Sequence, residues 1–179
     1  MPLSTTVRRL AAALAAAMLV PCMALAGEQY VDGSGYALSG YDAVAYRSLE
    51  QAPVGGTQPQ AVPGRAEFAA DYNGARWAFA SAANRDAFLA DPDRYAPAFD
   101  GHCAFGVARG GKVPGNPHLW RIVDGQLYLN INRQVVGFWE ADIGGNIAGA
   151  SGNWDALEQA PAHRGAVPEL DTARAPATD

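Results

Sequence analysis

Residues 72–103 read YNGARWAFASAANRDAFLADPDRYAPAFDGHC and contain the most regularly patterned segment of the chain. Asn73-Gly74 has the two residue types that suit a tight two-residue hairpin loop, because both accept a positive φ. After this turn, Trp77 and Phe79 alternate with smaller residues, which is typical of a strand with one buried face. The segment therefore predicts a β-hairpin.

A helix is predicted directly after this hairpin. Ser81 offers a side-chain oxygen as the N-cap, and Pro92 discourages helix beyond about Asp91. Phe88 lies on the face that turns back towards the hairpin. Hairpin and helix together form one compact unit.

Similar strand, turn and helix-cap patterns occur on both sides of this unit. Residues 36–46 carry Tyr, Leu and Val between glycines and predict a strand, and residues 118–131 predict a second hairpin around Asp124-Gly125. Asn132 is the expected N-cap of a second helix that runs to about residue 142. Residues 143–154 are interrupted by glycine and predict short helical turns.

These elements predict an α+β fold, in which a small antiparallel sheet of two hairpins and an N-terminal strand carries two main helices. The expected domain spans residues 35–158, after a linker at 27–34. Residues 159–179 are rich in Pro, Ala, Gly and charge and predict a disordered tail. No internal repeat is apparent.

The first 26 residues have the three parts of a secretory signal. Arg8 and Arg9 form a basic region, residues 10–20 an apolar region, and Ala24-Leu25-Ala26 a small-x-small cleavage site. We therefore expect export, with the bacterial periplasm as the destination. No apolar run of about twenty residues follows, so no membrane span is expected in the mature chain.

Charge excludes one large class of partners. The 179-residue chain has 13 basic and 18 acidic residues, and cleavage after Ala26 moves the balance from −5 to 11 − 18 = −7. Nucleic-acid binding depends on neutralising phosphates, so an acidic chain without a basic cluster is not expected to bind nucleic acid. Cations and small molecules are the favoured partners, and the sequence is silent on oligomeric state.

Cleavage would leave Cys103 as the single cysteine of the mature chain. A lone thiol has no internal disulfide partner, although exported proteins commonly pair theirs. Three readings stay open: a metal ligand, a reactive thiol, and a buried thiol that packs as a small apolar group.

The metal reading uses Cys103 with His102 or His118. Thiolate and imidazole are donors that suit copper and zinc ions. The redox reading uses Cys103 alone, as a thiol enzyme whose neighbouring imidazole lowers the thiol pKa. No other catalytic residue is assigned. Tyr41 and Asp42 are further candidates, with Asp42 as a ligand, a general base or, by preference, the cap of a turn.

The spacing around the first hairpin resembles the YHS domain. The resemblance rests on Tyr72-x-Gly74-x-x-Trp77-x-Phe79-x-Ser81, followed by Phe88 and by Asp91-Pro92-x-x-Tyr95. With the upstream Gly40-Tyr41-Asp42-x-Val44-Ala45-Tyr46 and the second hairpin, residues 35–158 are similar to exported YHS domain-containing (seleno)proteins. The resemblance implies a small scaffold associated with metal binding, and it implies that Cys103 corresponds to the selenocysteine of some members.

This chain departs from the metal-binding members of that family. Their three cysteines correspond to Ala45, Ala80 and Asn84, none of which has a soft donor. The resemblance thus implies that the scaffold is kept without the usual metal site. The leading expectation is a periplasmic protein that handles metal, with copper favoured, through Cys103 and a nearby histidine. The alternatives are a thiol-dependent redox protein and a non-catalytic binding or interaction domain.

Overall fold

The computed structural model describes residues 27–168 and residue 170, so the predicted signal peptide and most of the predicted tail lie outside the described residues. The architecture is α+β, as predicted. Three 3₁₀ turns accompany the strands and helices, at Leu38–Gly40, Ala45–Ser48 and Ala98–Gly101. In chain order the elements are β1 (Arg65–Tyr72), β2 (Ala75–Phe79), α1 (Ala82–Ala90), α2 (Pro92–Tyr95), α3 (Ala104–Ala108), β3 (Asn116–Val123), β4 (Gln126–Asn130), α4 (Arg133–Glu140) and α5 (Ile143–Leu157).

Both predicted hairpins are confirmed. β1 pairs with β2 and β3 pairs with β4, each antiparallel and each with a register irregularity near the start of its first strand. The turns use Asn73-Gly74 and Asp124-Gly125, all four residues having a positive φ. Within the described residues, the hairpins form two separate two-stranded sheets rather than the single sheet that was expected.

The predicted N-terminal strand at residues 36–46 is wrong. Leu38, Ser39 and Gly40 have φ of 51°, 52° and 82°, so three consecutive left-handed residues turn the chain instead of extending it. Only isolated bridges remain, including Tyr41 with Pro63. Most of the apolar residues that suggested a strand are buried, but they are buried as part of a turn.

Side-chain caps begin the two main helices as predicted. Ser81 Oγ accepts from Asn84 N at 3.1 Å before α1, and Asn132 Oδ1 accepts from Val135 N at 2.9 Å before α4. The region after residue 142 differs from expectation, because α5 is one continuous 15-residue helix. Asp142 caps this helix, which packs against α3.

The chain follows the same path twice, at residues 37–91 and 98–142. Each copy passes through a left-handed 3₁₀ turn, a helical turn, a Val-Pro-Gly segment, a hairpin and a capped helix. The residues that end these copies adopt nearly the same backbone conformation, with φ and ψ of −153° and 74° at Asp91 and of −152° and 76° at Asp142. The expectation of no internal repeat is therefore wrong.

Hydrogen bonds confirm how the copies correspond. Asp42 N donates to Val62 O and Cys103 N donates to Val113 O, both at 2.9 Å. From this segment onwards the offset is 51 positions, since 113 − 62 = 51, whereas Asp42 and Cys103 are 103 − 42 = 61 positions apart. The segment between the paired residues is thus ten residues longer in the first copy, and the extra length lies in residues 49–61, the long loop of the first copy. Cys103 occupies the place that Asp42 has in the first copy.

The core lies mainly in the first copy. Trp77, Phe79 and Phe88 are buried, with the Phe88 ring centroid 4.8 Å from that of Trp77 and 5.1 Å from that of Phe79. The described part of the tail packs on the body, with Ala162 and Val167 buried, which departs from the expectation of disorder from residue 159. Among the described residues, no helix is long and apolar enough to cross a membrane.

Candidate functional site

A buried carboxylate stands where the first 3₁₀ turn meets the first hairpin. Asp42 Oδ1 accepts from the backbone nitrogens of Val44 and Ala45 at 2.8 and 3.1 Å. Asp42 Oδ2 accepts from Ala80 N at 2.7 Å and from Asn84 Nδ2 at 2.6 Å. Four donors satisfy the carboxylate, three of them backbone N–H groups, so Asp42 ties the turn, the end of β2 and α1 together.

Three of these donors come from the positions that, according to the resemblance, correspond to the cysteines of metal-binding YHS domains. Ala45, Ala80 and Asn84 are remote in sequence, yet all contact the Asp42 carboxylate. The predicted correspondence thus brings the three positions to one point. A carboxylate already fills that point, and no thiolate or imidazole faces it. The residues present do not fit a soft metal ion here.

Cys103 occupies the equivalent point in the second copy. Its Sγ accepts from Gly106 N at 3.4 Å, as Asp42 accepts from Ala45, and its S–H donates to Asn130 Oδ1 at 3.6 Å. The backbone of Ile131 also faces the sulfur, as that of Ala80 faces Asp42. Burial raises the pKa of the Cys103 thiol, and the N–H groups offset only part of this effect.

The burial of Cys103 bears on the redox reading. None of its surface is exposed, and it is the N-cap residue of α3. Reactive cysteines combine a lowered thiol pKa with access to solvent, and Cys103 has neither. The contacts of Cys103 fit the packed-thiol reading best.

The His102 ring is buried and uses both nitrogens. Nδ1 lies 2.9 Å from Phe99 O and Nε2 accepts from His163 N at 3.2 Å. An N–H donor at Nε2 and a carbonyl at Nδ1 require the neutral tautomer that carries its proton on Nδ1. Burial is the main cause that lowers the pKa of His102 to about 4. His102 therefore fastens the described part of the tail to the body as a neutral ring.

His118 also uses both ring nitrogens. Nδ1 accepts from Ala61 N at 3.1 Å, which leaves the proton on Nε2, 3.1 Å from the Tyr41 hydroxyl oxygen. The Tyr41 and His118 rings meet edge to face with centroids 4.7 Å apart. Burial lowers the pKa of His118. Through Ala61 and Tyr41, His118 holds the long loop of the first copy against β3.

The predicted ligands are therefore committed to other partners. Cys103 contacts Asn130, His102 contacts the Phe99 carbonyl, and His118 contacts Tyr41. Across residues 27–168 and 170, no three His, Cys, Asp or Glu side chains are grouped to hold a metal ion. Coordination by Cys103 with His102 or His118 stays a prediction, and it requires these hydrogen bonds to break.

A cavity of about 230 Å³ lies between the long loop of the first copy and α4. Its lining includes Gln58, Gln60, His118, Arg133 and Glu140. Among these residues, only His118 is predicted from the sequence. For the others, the available signals were a long polar loop and a helix that begins with arginine. The cavity is smaller than typical sites for drug-sized ligands, which suits a compact metabolite.

The charges around this cavity leave a positive excess. Glu140 Oε1 accepts from Arg121 Nε at 2.9 Å, and Glu140 Oε2 accepts from Gly55 N at 2.7 Å, so the carboxylate is already neutralised. Arg133 lines the cavity and is exposed. It forms no ion pair with any described residue. A small anion would find the Arg133 guanidinium and the Gln60 amide there, because the Gln58 amide already exchanges hydrogen bonds with the backbone of Ala52.

Comparison with protein-family models matches residues 51–99 to the YHS domain. The match covers the long loop, the first hairpin, α1 and α2, and it ends before His102 and Cys103. No curated protein and no solved structure gives a significant match to the chain.

Proposed function

We propose that this chain, whose residues 51–99 match the YHS domain, is an exported binding module of the YHS type, which holds a small organic anion and no resident metal at the YHS cysteine positions. One observation carries the proposal. Ala45, Ala80 and Asn84 converge on the Asp42 carboxylate, so the point available to a metal ion in the relatives is filled here.

The ligand class follows from the cavity between the long loop and α4. Arg133 supplies a charge that no described acid neutralises, and Gln60 supplies an amide donor and acceptor, whereas the Gln58 amide is bonded to the Ala52 backbone. The volume of about 230 Å³ suits a molecule no larger than a single amino acid or a short dicarboxylate. Bidentate recognition of a carboxylate by arginine would give the site its selectivity.

The binding test is a thermal-shift series followed by calorimetry. Glutamate, succinate and inorganic phosphate are the probes, because binding to the folded state alone raises the melting temperature. At least one probe is expected to raise it in the unaltered protein and not in Arg133→Ala. Arg85→Ala on α1 is the matched control, an arginine that pairs with its neighbour Asp86. Equal binding to Arg133→Ala, or no binding by any probe, would refute the proposed site.

Export to the periplasm is the second part of the proposal. It is supported by Arg8 and Arg9, the apolar residues 10–20 and the Ala24-Leu25-Ala26 cleavage pattern. Expression of the full chain in a Gram-negative host, followed by fractionation and intact mass, tests it. A periplasmic product that begins at Gly27 is expected, and a full-length cytoplasmic product would contradict it.

Copper or zinc handling at Cys103 is the alternative function, favoured by the family match at residues 51–99. It would require His102 or His118 to leave its present partners and turn a ring nitrogen to the metal. Ring resonances of both histidines, followed by NMR during addition of Zn(II), report this directly. Shifts at either ring that disappear in Cys103→Ser would favour metal handling over anion binding.

A further inference from the structure

One carboxylate oxygen in the described part of the chain is buried without a hydrogen-bond donor, and it belongs to Asp100. Oδ2 has no partner, whereas the Asp100 backbone oxygen accepts from Tyr30 N and from Gln29 Nε2, both at 2.8 Å. A buried anionic oxygen without a donor is unfavourable. Burial accordingly raises the pKa of Asp100. Asp100 Oδ2 therefore needs a hydrogen-bond donor, and a cationic donor would suit it best.

Gly27 lies directly against that oxygen. A Cβ on Gly27 would be 2.3 Å from Asp100 Oδ2 and 2.7 Å from Glu158 O, so only glycine fits this position. Standard bond lengths then place the Gly27 nitrogen within about 5 Å of Oδ2. Asn73 Nδ2 donates to Gly27 O at 3.2 Å and holds the residue in place. The backbone nitrogen of Gly27 is therefore near two acceptor atoms, Asp100 Oδ2 and Glu158 O.

Gly27 is also the first residue after the predicted cleavage site. Hydrolysis of the Ala26–Gly27 bond by an export peptidase consumes one water and leaves a carboxylate on Ala26 and an amine on Gly27. The amine is protonated at neutral pH and then carries three N–H donors. We propose that removal of residues 1–26 creates an α-ammonium group at Gly27 that pairs with Asp100 and completes this part of the fold.

The charges nearby favour an added cation. Lys112 donates to the backbone oxygens of Glu158 and Ala160 at 2.9 and 2.7 Å and interacts with three acids, Asp100, Glu28 and Glu158. One of these, Glu28, already pairs with Arg164 at 2.6 Å. The carboxylates of Asp100 and Glu158 are thus left with one cation, Lys112, and a positively charged terminus at Gly27 would neutralise the second carboxylate.

The pair would stabilise a strained junction. Phe99, Asp100 and Gly101 have φ of 57°, 51° and 77°, three left-handed residues in sequence. This turn leads into His102, which fastens the described part of the tail through His163. A precursor that still carries residue 26 has an amide in place of the ammonium group and is expected to be less stable than the processed chain. This inference depends on the proposed cleavage after Ala26.

The test compares free and blocked termini in the processed chain. The full chain is exported, the product beginning at Gly27 is identified by mass, and its α-amine is acetylated in urea before refolding. Lys112 is the single lysine of the sequence, so all samples carry Lys112→Arg and have only the α-amine to acetylate. Urea midpoints are measured with Asp100 present and with Asp100→Asn. Asp93→Asn, an exposed aspartate, is the matched control.

Acetylation is expected to lower the urea midpoint when Asp100 is present and to leave it unchanged in Asp100→Asn. An equal fall in both backgrounds, or no fall in either, overturns the pair. Should Asp100→Asn not fold, the pKa of the Gly27 amine is measured by NMR in the Asp100 protein. A value above the usual range of about 7.7–8.0 supports the pair, and a value within or below that range overturns it.

Failure of the two proposals can be told apart. A product that does not begin at Gly27 refutes the proposed cleavage after Ala26 and this inference together, whereas export itself fails only if the product stays full-length in the cytoplasm. A product that begins at Gly27 but shows no dependence of acetylation on Asp100 refutes only the inference.

Discussion

The buried His102 ring makes the stability of the folded chain depend on pH. The ring is neutral in the fold, because Nε2 accepts from His163 N and Nδ1 lies 2.9 Å from Phe99 O. Protonation of Nε2 would turn that acceptor into a donor facing another donor. Lowering the pH below the usual histidine range is therefore expected to destabilise the fold through this residue.

The sign and size follow from the pKa of His102, which burial lowers to about 4 in the fold from 6.5. Its contribution to stability is fully present above 6.5 and is lost as the pH falls from 6.5 towards 4. A difference of about 2.5 pKa units at 1.36 kcal/mol each amounts to about 3 kcal/mol in the free energy of unfolding. That is a large share of the stability of a small domain.

The assay is urea unfolding at several pH values between 7 and 4, for the unaltered protein and for His102→Gln. Glutamine keeps one donor and one acceptor but does not titrate. Asp100, whose pKa burial raises, titrates in both proteins and works in the opposite direction, so the difference between their pH profiles isolates His102. The unaltered protein should lose about 3 kcal/mol more than the variant. Parallel profiles would refute the assignment of His102 as a neutral buried ring.

Three further predictions concern buried polar groups. Asp42→Ala should lower the free energy of unfolding by at least about 3 kcal/mol, because it leaves four donors unpaired, whereas Asn84→Ala should cost about 2 kcal/mol. The Cys103 thiol, buried with a raised pKa, should react with a disulfide reagent at pH 7 only as fast as the protein unfolds. Arg121→Ala should cost about 3 kcal/mol, because it leaves the buried Glu140 carboxylate without its cation.

Each of these has a defined contradiction. Chemical denaturation of Glu67→Ala, which removes an exposed ion pair with Arg65, gives the baseline for a surface change. An Asp42→Ala or Arg121→Ala effect no larger than this baseline would contradict the role assigned to that residue. Fast labelling of Cys103 in folded protein would show that the thiol is accessible and would reopen the redox reading.

Local signals in the sequence were sufficient for the hairpins and the helix starts. Asn73-Gly74 and Asp124-Gly125 adopt the positive φ that their residue types allow, and Ser81 and Asn132 cap the helices that follow them. These features depend on residues within a few positions of one another. Such short-range chemistry can be derived from the sequence alone.

The first 3₁₀ turn was not predicted, because Gly40 was the one residue in it whose type indicates a turn. Leu38 and Ser39 adopt left-handed conformations that their residue types disfavour, and burial in the core holds them there. The internal repeat was missed because Val-Pro-Gly is its one short identical segment near the hairpins, and a ten-residue difference in loop length breaks its register. Both depend on contacts between distant parts of the chain.

The site shows the same division. The absence of donors at Ala45, Ala80 and Asn84 was evident from the sequence, but their convergence on the Asp42 carboxylate required the fold. The adjacent His102 and Cys103 predicted shared chemistry. In the fold their polar atoms contact different partners, because successive residues leave the 3₁₀ turn in different directions.

Competition titration of the reduced, processed protein with Cu(I) tests most directly whether the protein lacks a resident metal. A chelator of known affinity would report any transfer of metal to the protein. Because Asp42 fills the point where Ala45, Ala80 and Asn84 meet, and because Cys103 is buried, we expect no stoichiometric binding. Binding of one equivalent that is lost in Cys103→Ser would contradict the account and establish a metal site at Cys103.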